Sequence, residues 1–364
     1  MLRRRLALLL AAALLLAAGL YAGDQWLRQS YREAGPLPAP LRMQVEPGVS
    51  VRAVLGRLGA LGALRHPRLI ELYLRLHGRR FSMKAGEYEI PAAASAASII
   101  DMLAEGRVVL EQLTVVEGTT FADFRRALET HPKVRNLLRG ASDAQVMQAL
   151  GHASEPPEGE FFPDTYRFAA GTTDVEILKL AYDRMQQVLS QAWTERAPDL
   201  PLHSAYEALI LASVIEKETG LPAERPQIAG VFEARLRKGM RLQSDPTVIY
   251  GLGASYAGTI RTRDLTTDTP YNTYTRSGLP PTPIALPGRE SILAAVHPQE
   301  NGALYFVATG DGDGAHHFSA TLEEHNAAVQ HYLQRLRAAA AGAASPGPGA
   351  ASPPRPGGKP SGAR

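Results

Sequence analysis

Two carboxylates, Glu216 and Glu218, end a long apolar stretch in the middle of the chain. Nearly every residue between Ser204 and these acids is apolar, and Glu207 three residues after Ser204 completes the capping-box signature of a helix start. The pattern predicts a helix that is buried on almost all sides and carries both acids in its last turn. Gly220 is the candidate left-handed residue that ends this helix.

The two carboxylates belong to different faces of the predicted helix, because at about 100° per residue they point about 200° apart. Glu218 stacks over Leu211, Val214 and Ile215, whereas Glu216 stacks over smaller and more polar residues. An apolar wall and the negative end of the helix dipole both disfavour an ionised carboxylate, so we expect a raised pKa for Glu218. A raised pKa suits a general acid near neutral pH, and the alternative is a solvated Glu-Lys-Glu run.

Two segments after this helix offer polar groups for a ligand. Residues 241–250 alternate polar and apolar side chains, which predicts an extended segment with Gln243, Asp245 and Thr247 on one side. Residues 271–276 combine two tyrosines with amide and hydroxyl side chains. A sugar, with its apolar ring faces and hydroxyl rim, needs this mixture, and the alternative is a surface loop braced by the prolines that follow.

Composition limits the classes of function. At 364 residues the chain is long enough for two modest domains with cores of their own. Its net charge is +3, but the six cations of residues 1–5 and 338–364 exceed that value, so the rest of the chain is acidic. This balance argues against a nucleic-acid partner. The absence of cysteine excludes disulfides, thiolate metal sites and thiol nucleophiles.

The N-terminal segment has the pattern of a membrane anchor. Three arginines over residues 1–5 precede residues 6–23, which carry no charge and are just long enough to span a bilayer. We expect an uncleaved transmembrane helix over 6–23 with residues 1–5 in the cytoplasm. Residues 24–40 are then a polar, proline-bearing linker on the other side.

Residues 41–110 have the pattern of a small mixed module. A strand at 43–45, two helices, a strand at 86–90 and a further helix follow in order. The strand–helix–helix–strand order is similar to that of a LysM-type module, a class of sugar-polymer binder. We expect a larger mixed domain over 111–337 and a disordered tail rich in Ala, Gly and Pro over 338–364.

The motifs near the C-terminus predict structure rather than a metal site. Residues 310–314 lack the later ligands of a calcium loop, so we expect a hairpin turn after a strand over 304–309. Thr321 caps a last helix that ends at Arg337. The spacing of four histidines fits no zinc-ligand pattern: His316, His317, His325 and His331. We expect neither a metal nor a cofactor.

Six motifs taken together closely resemble one enzyme family. They are EKET, RLQSDPTVIYG, PYNTYT, GLPPTPIALPG, LYFVA and HHF. With the anchor and the LysM-like module in the same order, residues 5–337 resemble the endolytic murein transglycosylases of the MltG or YceG-like family. The expected fold is α+β: a transmembrane helix, the small LysM-like α/β module, and a larger mixed α+β catalytic domain whose buried helix carries the catalytic Glu.

The resemblance implies cleavage within peptidoglycan glycan strands, between N-acetylmuramic acid and N-acetylglucosamine, with a 1,6-anhydro end as the product. It places the catalytic glutamate at Glu218, in agreement with the helix-face argument. One carboxylate suffices because the sugar's own C6 hydroxyl attacks, whereas ordinary glycosidases need two. Residue type and family likeness place eight further residues around the sugars: Gln243, Ser244, Asp245, Tyr271, Asn272, Thr273, Tyr274 and Glu160.

The resemblance also implies a location and partners. It describes a single-pass protein of the bacterial cytoplasmic membrane whose catalytic domain lies in the periplasm, terminates glycan elongation and associates with peptidoglycan synthases. Two alternatives stay open. A muramidase-type hydrolase needs a second carboxylate such as Asp245 or Glu160. A glycan-binding scaffold for wall synthases does not depend on Glu218.

Overall fold

The structure is a computed structural model that describes residues 2–79 and 81–344. Its elements in chain order are α1 (Leu2–Arg32), β1 (Leu41–Val45), α2 (Val51–Ala60), α3 (Pro67–Leu76), β2 (Gly86–Ile90), α4 (Ala96–Glu105), β3 (Leu110–Thr114), α5 (Phe121–Thr130), α6 (Asp143–Leu150), β4 (Thr165–Ala169), α7 (Asp174–Thr194), α8 (Ala205–Glu218), α9 (Arg225–Arg237), α10 (Asp245–Leu252), α11 (Thr262–Thr266), α12 (Arg289–Val296), β5 (Tyr305–Ala308), β6 (His316–Ser319) and α13 (Leu322–Ala344). The mixture of helices and short strands confirms the predicted α+β class.

The chain divides into two compact units. The first unit runs to Val115 and adds Phe124–Ala153 and Asp164–Leu180. The second unit comprises Val116–Asp123, Ser154–Pro163 and the chain from Ala181 onward. This division differs from the predicted boundary between residues 110 and 111, because β3 pairs with β4 inside the first unit.

The first unit contains the predicted small module. β1 and β2 pair antiparallel, with Met43 opposite Tyr88, and both side chains are buried. The helices α2, α3 and α4 supply apolar side chains such as Leu58 and Ile99, which are completely buried in the same core. The strand–helix–helix–strand order is confirmed, whereas the likeness to a LysM-type module stays a prediction.

Helix α1 is longer than the predicted span. It continues to Arg32, so residues 24–32 of the predicted linker are helical. Packing explains the extension: Tyr31 is buried, and its ring stacks on that of Tyr73 with 4.2 Å between centroids. Arg79 donates a hydrogen bond to the Tyr31 hydroxyl at 2.8 Å. The end of α1 is therefore part of the core of the first unit.

Helix α8 lies at the centre of the second unit, packed against α9, α10 and α12. The predicted N-cap is confirmed, since the Ser204 hydroxyl accepts the Glu207 N–H at 3.1 Å. The predicted cap at Gly220 is wrong. Gly220 does not adopt a left-handed conformation, because the chain leaves the helix through an extended Thr219 whose hydroxyl accepts the Leu221 N–H at 2.9 Å.

Two further predictions are corrected in the second unit. Residues 241–250 are not extended throughout, since α10 begins at Asp245 with Ser244 as its N-cap residue and Pro246 in its first turn. The last helix begins after Thr321 as predicted but continues beyond Arg337 to the end of α13. The rest of the predicted disordered tail, residues 345–364, lies outside the described residues. The predicted hairpin of β5 and β6 is confirmed.

Candidate active site

The last turn of α8 brings Glu218 to the wall of a cleft of about 450 Å³ in the second unit. Three of the predicted sugar-binding residues line the same cleft: Gln243, Asp245 and Tyr274. Gln243 is exposed and has a φ of 52°, an uncommon conformation for a residue other than glycine, which sets the turn into α10. The structure therefore brings the predicted acid and three of its predicted neighbours together.

The Glu218 carboxyl is half-buried and hydrogen-bonded. The Ser244 hydroxyl donates to Glu218 Oε1 at 2.5 Å. The pKa of Glu218 is raised to about 7, mainly by burial and to a smaller extent by the nearby Asp245 carboxylate. The Ser244 hydrogen bond and the positive fields of His316 and Arg235 act in the opposite direction. The net result is a carboxyl that exchanges its proton near neutral pH.

Ser244 is held from behind by buried threonines. Its N–H donates to the Thr273 hydroxyl at 3.0 Å, and its carbonyl accepts from the Thr247 hydroxyl at 2.7 Å. The two threonine hydroxyls are 2.8 Å apart, and all three residues are almost completely buried. Ser244 and Thr273 therefore orient Glu218 instead of facing the cleft, which differs from the sugar contacts expected of them.

Asn272 organises the loop that carries Tyr274. Its side-chain amide donates to the carbonyls of Asp264, Leu265 and Thr267, and its Oδ1 accepts the Tyr274 N–H at 2.9 Å. Asn272 is buried and fully engaged, so it supports the cleft without lining it. Tyr274 itself donates its hydroxyl hydrogen to the Asp245 carboxylate at 2.6 Å.

Two other predicted site residues lie outside the cleft lining. Glu160 is 4% exposed and accepts a hydrogen bond from Gln186 at 2.7 Å. Burial raises the pKa of Glu160 to about 7. Tyr271 shares a hydrogen bond of 2.9 Å with Thr282 and packs edge-on against Tyr250. The structure does not bring either of them to the same cavity as Glu218.

Glu216 has a different environment from Glu218, as the helix-face argument predicts. Its side chain is 6% exposed and pairs with Arg225 at 3.2 Å. Its other carboxylate oxygen accepts the Gly288 N–H at 2.9 Å. Glu216 therefore anchors the end of α8 to the chain that precedes α12.

Comparison with known proteins identifies the family. The model of the YceG-like family matches residues 43–331, which is most of the chain. The chain belongs to the YceG-like family. This confirms the family that the six sequence motifs predict.

Relatives of this YceG-like protein share most of its length. An endolytic murein transglycosylase of Bacillus subtilis (strain 168) is 30% identical over 311 residues, which cover 80% of this chain and 85% of that protein. An endolytic murein transglycosylase of Streptococcus pneumoniae serotype 2 is 26% identical over 88% of this chain, and the match spans 63% of that protein. The crystal structure of a YceG-like protein from Listeria monocytogenes is 28% identical, with a TM-score of 0.50 over 79% of this chain and 98% of that one.

Sequence reasoning missed seven residues that line the cleft of this YceG-like protein: Arg235, Leu242, Tyr305, Phe306, Leu322, His325 and Asn326. Arg235 belongs to a cationic run at the end of α9, a pattern that indicates solvated side chains. It is instead 6% exposed, and it donates to the carbonyls of Leu242 and Leu304 at 2.6 and 2.7 Å. From the sequence, His325 stands out only as one of four histidines whose spacing does not fit a zinc site. Its place in an amphipathic helix gave no signal of the cleft.

Proposed function

We propose that this YceG-like protein is an endolytic murein transglycosylase that cleaves the bond between N-acetylmuramic acid and N-acetylglucosamine and leaves a 1,6-anhydro end. The observation that carries the proposal is the Glu218 carboxyl, half-buried in the wall of a cleft with a pKa of about 7. Such a group holds a proton at neutral pH and can deliver it to a glycosidic oxygen. The names of the Bacillus and Streptococcus relatives support the same activity.

The proposed reaction uses Glu218 twice. The protonated carboxyl donates its proton to the glycosidic oxygen as the bond to C1 of N-acetylmuramic acid breaks. The resulting carboxylate then accepts the proton of the C6 hydroxyl of the same sugar, which attacks C1 and closes the anhydro ring. The Ser244 hydroxyl stabilises the carboxylate between these steps through its hydrogen bond at 2.5 Å. The reaction consumes no water and needs no second carboxylate.

The cleft lining suits an amino-sugar polymer. The rings of Tyr274 and Phe306 offer surfaces on which the apolar faces of sugars can pack. Gln243 and Asp245, both exposed, supply polar groups for hydroxyl and acetamido substituents. We assign sugar binding to Gln243, Asp245 and Tyr274, and orientation of Glu218 to Ser244 and its supporting threonines.

We further propose that the protein acts at the periplasmic face of the cytoplasmic membrane, where it terminates glycan elongation beside peptidoglycan synthases. The support is that, among the described residues, one helix near the N-terminus is long and apolar enough to cross a membrane, and its most apolar 18-residue window has a mean hydropathy of 2.3. The arginines at its start favour a cytoplasmic N-terminus. The LysM-like order of the first unit adds a means of holding glycan near the membrane.

The activity is tested by digesting purified glycan strands and analysing the fragments by mass spectrometry. The wild-type protein is expected to give fragments with 1,6-anhydro ends, and Glu218→Gln none, because the amide cannot donate a proton. Glu216→Gln is the matched control on the same helix turn and is expected to retain cleavage. Reducing ends in place of anhydro ends would refute the transglycosylase proposal.

A hydrolase is the second candidate, and one observation favours keeping it. Asp245 lines the same cleft as Glu218 and raises the pKa of that residue, so a second carboxylate is within electrostatic reach. A hydrolase that activates water through Asp245 predicts loss of all products in Asp245→Asn. The transglycosylase proposal predicts that this variant still forms anhydro ends, with weaker substrate binding. If the protein is instead a non-catalytic glycan-binding scaffold, the Glu218→Gln variant should keep the cellular role of the wild type.

A further inference from the structure

The first turn of α13 forms one wall of the Glu218 cleft. Leu322, His325 and Asn326 all line the cavity there, about a hundred residues after the catalytic helix. His325 is half-buried, and its N–H is bonded to the Thr321 carbonyl at 3.1 Å. The mechanism proposed above gives this wall no role.

The His325 ring is held in a stack of three groups. It lies nearly parallel to the Tyr305 ring, with 5.2 Å between centroids and 25° between planes. The Arg235 guanidinium lies 5.3 Å from the centre of the Tyr305 ring, and backbone carbonyls hold this arginine in place. A ring fixed in this way loses little freedom when a ligand binds, which favours its use as a recognition group.

One ring nitrogen of His325 is unavailable to a ligand. Its Nδ1 is buried and has no hydrogen-bond partner within residues 2–79 and 81–344. A lone pair tolerates that position better than an N–H does, because a buried donor without an acceptor is costly. The neutral ring therefore carries its hydrogen on Nε2, which is the nitrogen left for the cleft.

The surroundings of the ring also disfavour a second proton. Burial lowers the pKa of His325, and the positive charge of Arg235 lowers it further. The other titratable groups that line the cleft are Glu218 and Asp245 with the phenols Tyr274 and Tyr305. At neutral pH the ring is a neutral donor, which suits the uncharged hydroxyl and acetamido oxygens of a sugar.

We propose that His325 is a substrate-binding residue of the Glu218 cleft, which donates its Nε2–H to an oxygen of the bound amino sugar. This assignment deepens the proposed function and rests on it for the identity of the ligand. It adds α13 to the parts of the chain that hold the substrate in the cleft.

The assignment is tested by binding rather than by turnover. In the full-length Glu218→Gln protein, isothermal titration with uncrosslinked glycan strands measures affinity without cleavage. His325→Ala is expected to weaken binding about tenfold, the loss of one well-placed hydrogen bond. His325→Gln places an amide N–H near the position of Nε2 and is expected to restore most of the affinity. His325→Asn places its amide near Nδ1 and is not expected to do so.

His331→Ala is the matched control, because it lies six residues further along α13 and does not line this cleft. It is expected to bind like its parent. Unchanged affinity in His325→Ala overturns the assignment. An equal loss in the Ala, Gln and Asn variants, accompanied by lower melting temperatures, also overturns it and shows a packing role. Reducing ends from the wild-type protein refute the transglycosylase proposal separately, because the binding series does not depend on the product formed.

Discussion

The proposed mechanism requires a single carboxyl at the end of α8, that of Glu218, to hold a proton and then release it. Burial raises the pKa of Glu218 to about 7, and the Ser244 hydrogen bond limits that rise. The two influences keep the carboxyl able to act as acid in one step and as base in the next. The chemistry depends on this balance as much as on the position of the side chain.

The rate of cleavage should follow the protonation of Glu218. We expect kcat/KM to fall as the pH rises above about 7, because the carboxylate cannot donate a proton. In Ser244→Ala the hydrogen bond that lowers this pKa is lost, so the alkaline limb of the profile is expected to move upward by about one pH unit. The measurement is kcat/KM for glycan cleavage from pH 5 to 9. An alkaline limb that stays in place in Ser244→Ala contradicts the assignment of that limb to Glu218.

The raised pKa of Glu218 should also lower the free energy of unfolding at neutral pH. In the unfolded chain this carboxyl loses its proton near 4.5, whereas in the folded protein it does so near 7. Between these values the folded protein binds more protons, so the wild type loses stability as the pH rises. In Glu218→Gln the side chain at this position does not titrate. The free energy of unfolding of this variant relative to that of the wild type is therefore expected to rise by up to about 3 kcal/mol from pH 4 to pH 8. Urea unfolding at the two pH values measures the difference, and Glu207→Gln, a change at the other end of α8, serves as the control.

At the scale of single residues, the sequence predicts the surroundings of Glu218 better than those of its expected neighbours. The helix period separates Glu218 from Glu216, and the structure gives these two side chains different environments. Ser244 and Thr273 were expected to touch sugar and instead support Glu218 from within the protein. A polar residue type indicates a site, but only tertiary packing decides whether the side chain faces the ligand.

At the scale of elements, α8 is fixed by contacts in its C-terminal half. The Ser213 hydroxyl accepts the Ile284 N–H at 3.0 Å. One turn later, Glu216 binds Arg225 and the Gly288 N–H. These bonds tie the proline-rich segment before α12 to the helix that carries the acid, so they hold the cleft wall in place.

Glu216→Gln tests this anchoring. Removing the closer partner of buried Arg225 leaves this arginine only the 4.0 Å contact with the exposed carboxylate of Glu117, so we expect a loss of about 3 kcal/mol in the free energy of unfolding. Cleavage is expected to stay within about tenfold of the wild type at temperatures where the variant is folded, since the proton donor is intact. Adding Arg225→Met removes the unpaired charge and is expected to recover most of the stability. If the single variant loses as much activity as Glu218→Gln while remaining folded, Glu216 takes part in the chemistry.

The prediction of an element was wrong where two local sequence patterns overlap. The alternation over 241–250 suggested an extended segment, but Ser244 followed by Asp245 and Pro246 is also a helix-start signal. The structure follows the second pattern, because an N-cap position lets the Ser244 hydroxyl reach Glu218 while the backbone turns into α10. Boundaries with clear turn or cap residues, such as the hairpin of β5 and β6 and the start of α13 after Thr321, were predicted closely.

At the scale of the whole molecule, the cleft could not be assembled from the sequence. Its lining comes from α8, α9, α10, β5 and α13 and from the loops that carry Gln243 and Tyr274, and these parts of the chain meet only through the packing of the second unit. Arg235 and His325 carry no motif of their own, so their proximity to Glu218 is visible only in three dimensions. The family motifs predicted the fold class and the family, whereas the division into two units depends on the pairing of β3 with β4.

The N-terminal helix allows a prediction about topology. The candidate span Arg3–Arg32 begins with three arginines, and cations flanking a span favour the cytoplasmic side. We expect the full-length protein to resist extraction from membranes by alkaline carbonate, and external protease to digest the catalytic domain in spheroplasts. Replacing Arg3, Arg4 and Arg5 with glutamate is expected to reduce the digested fraction, because the signal that retains the N-terminus inside is removed. A wild-type protein that carbonate releases, or that protease reaches only after lysis, contradicts the proposed periplasmic anchor.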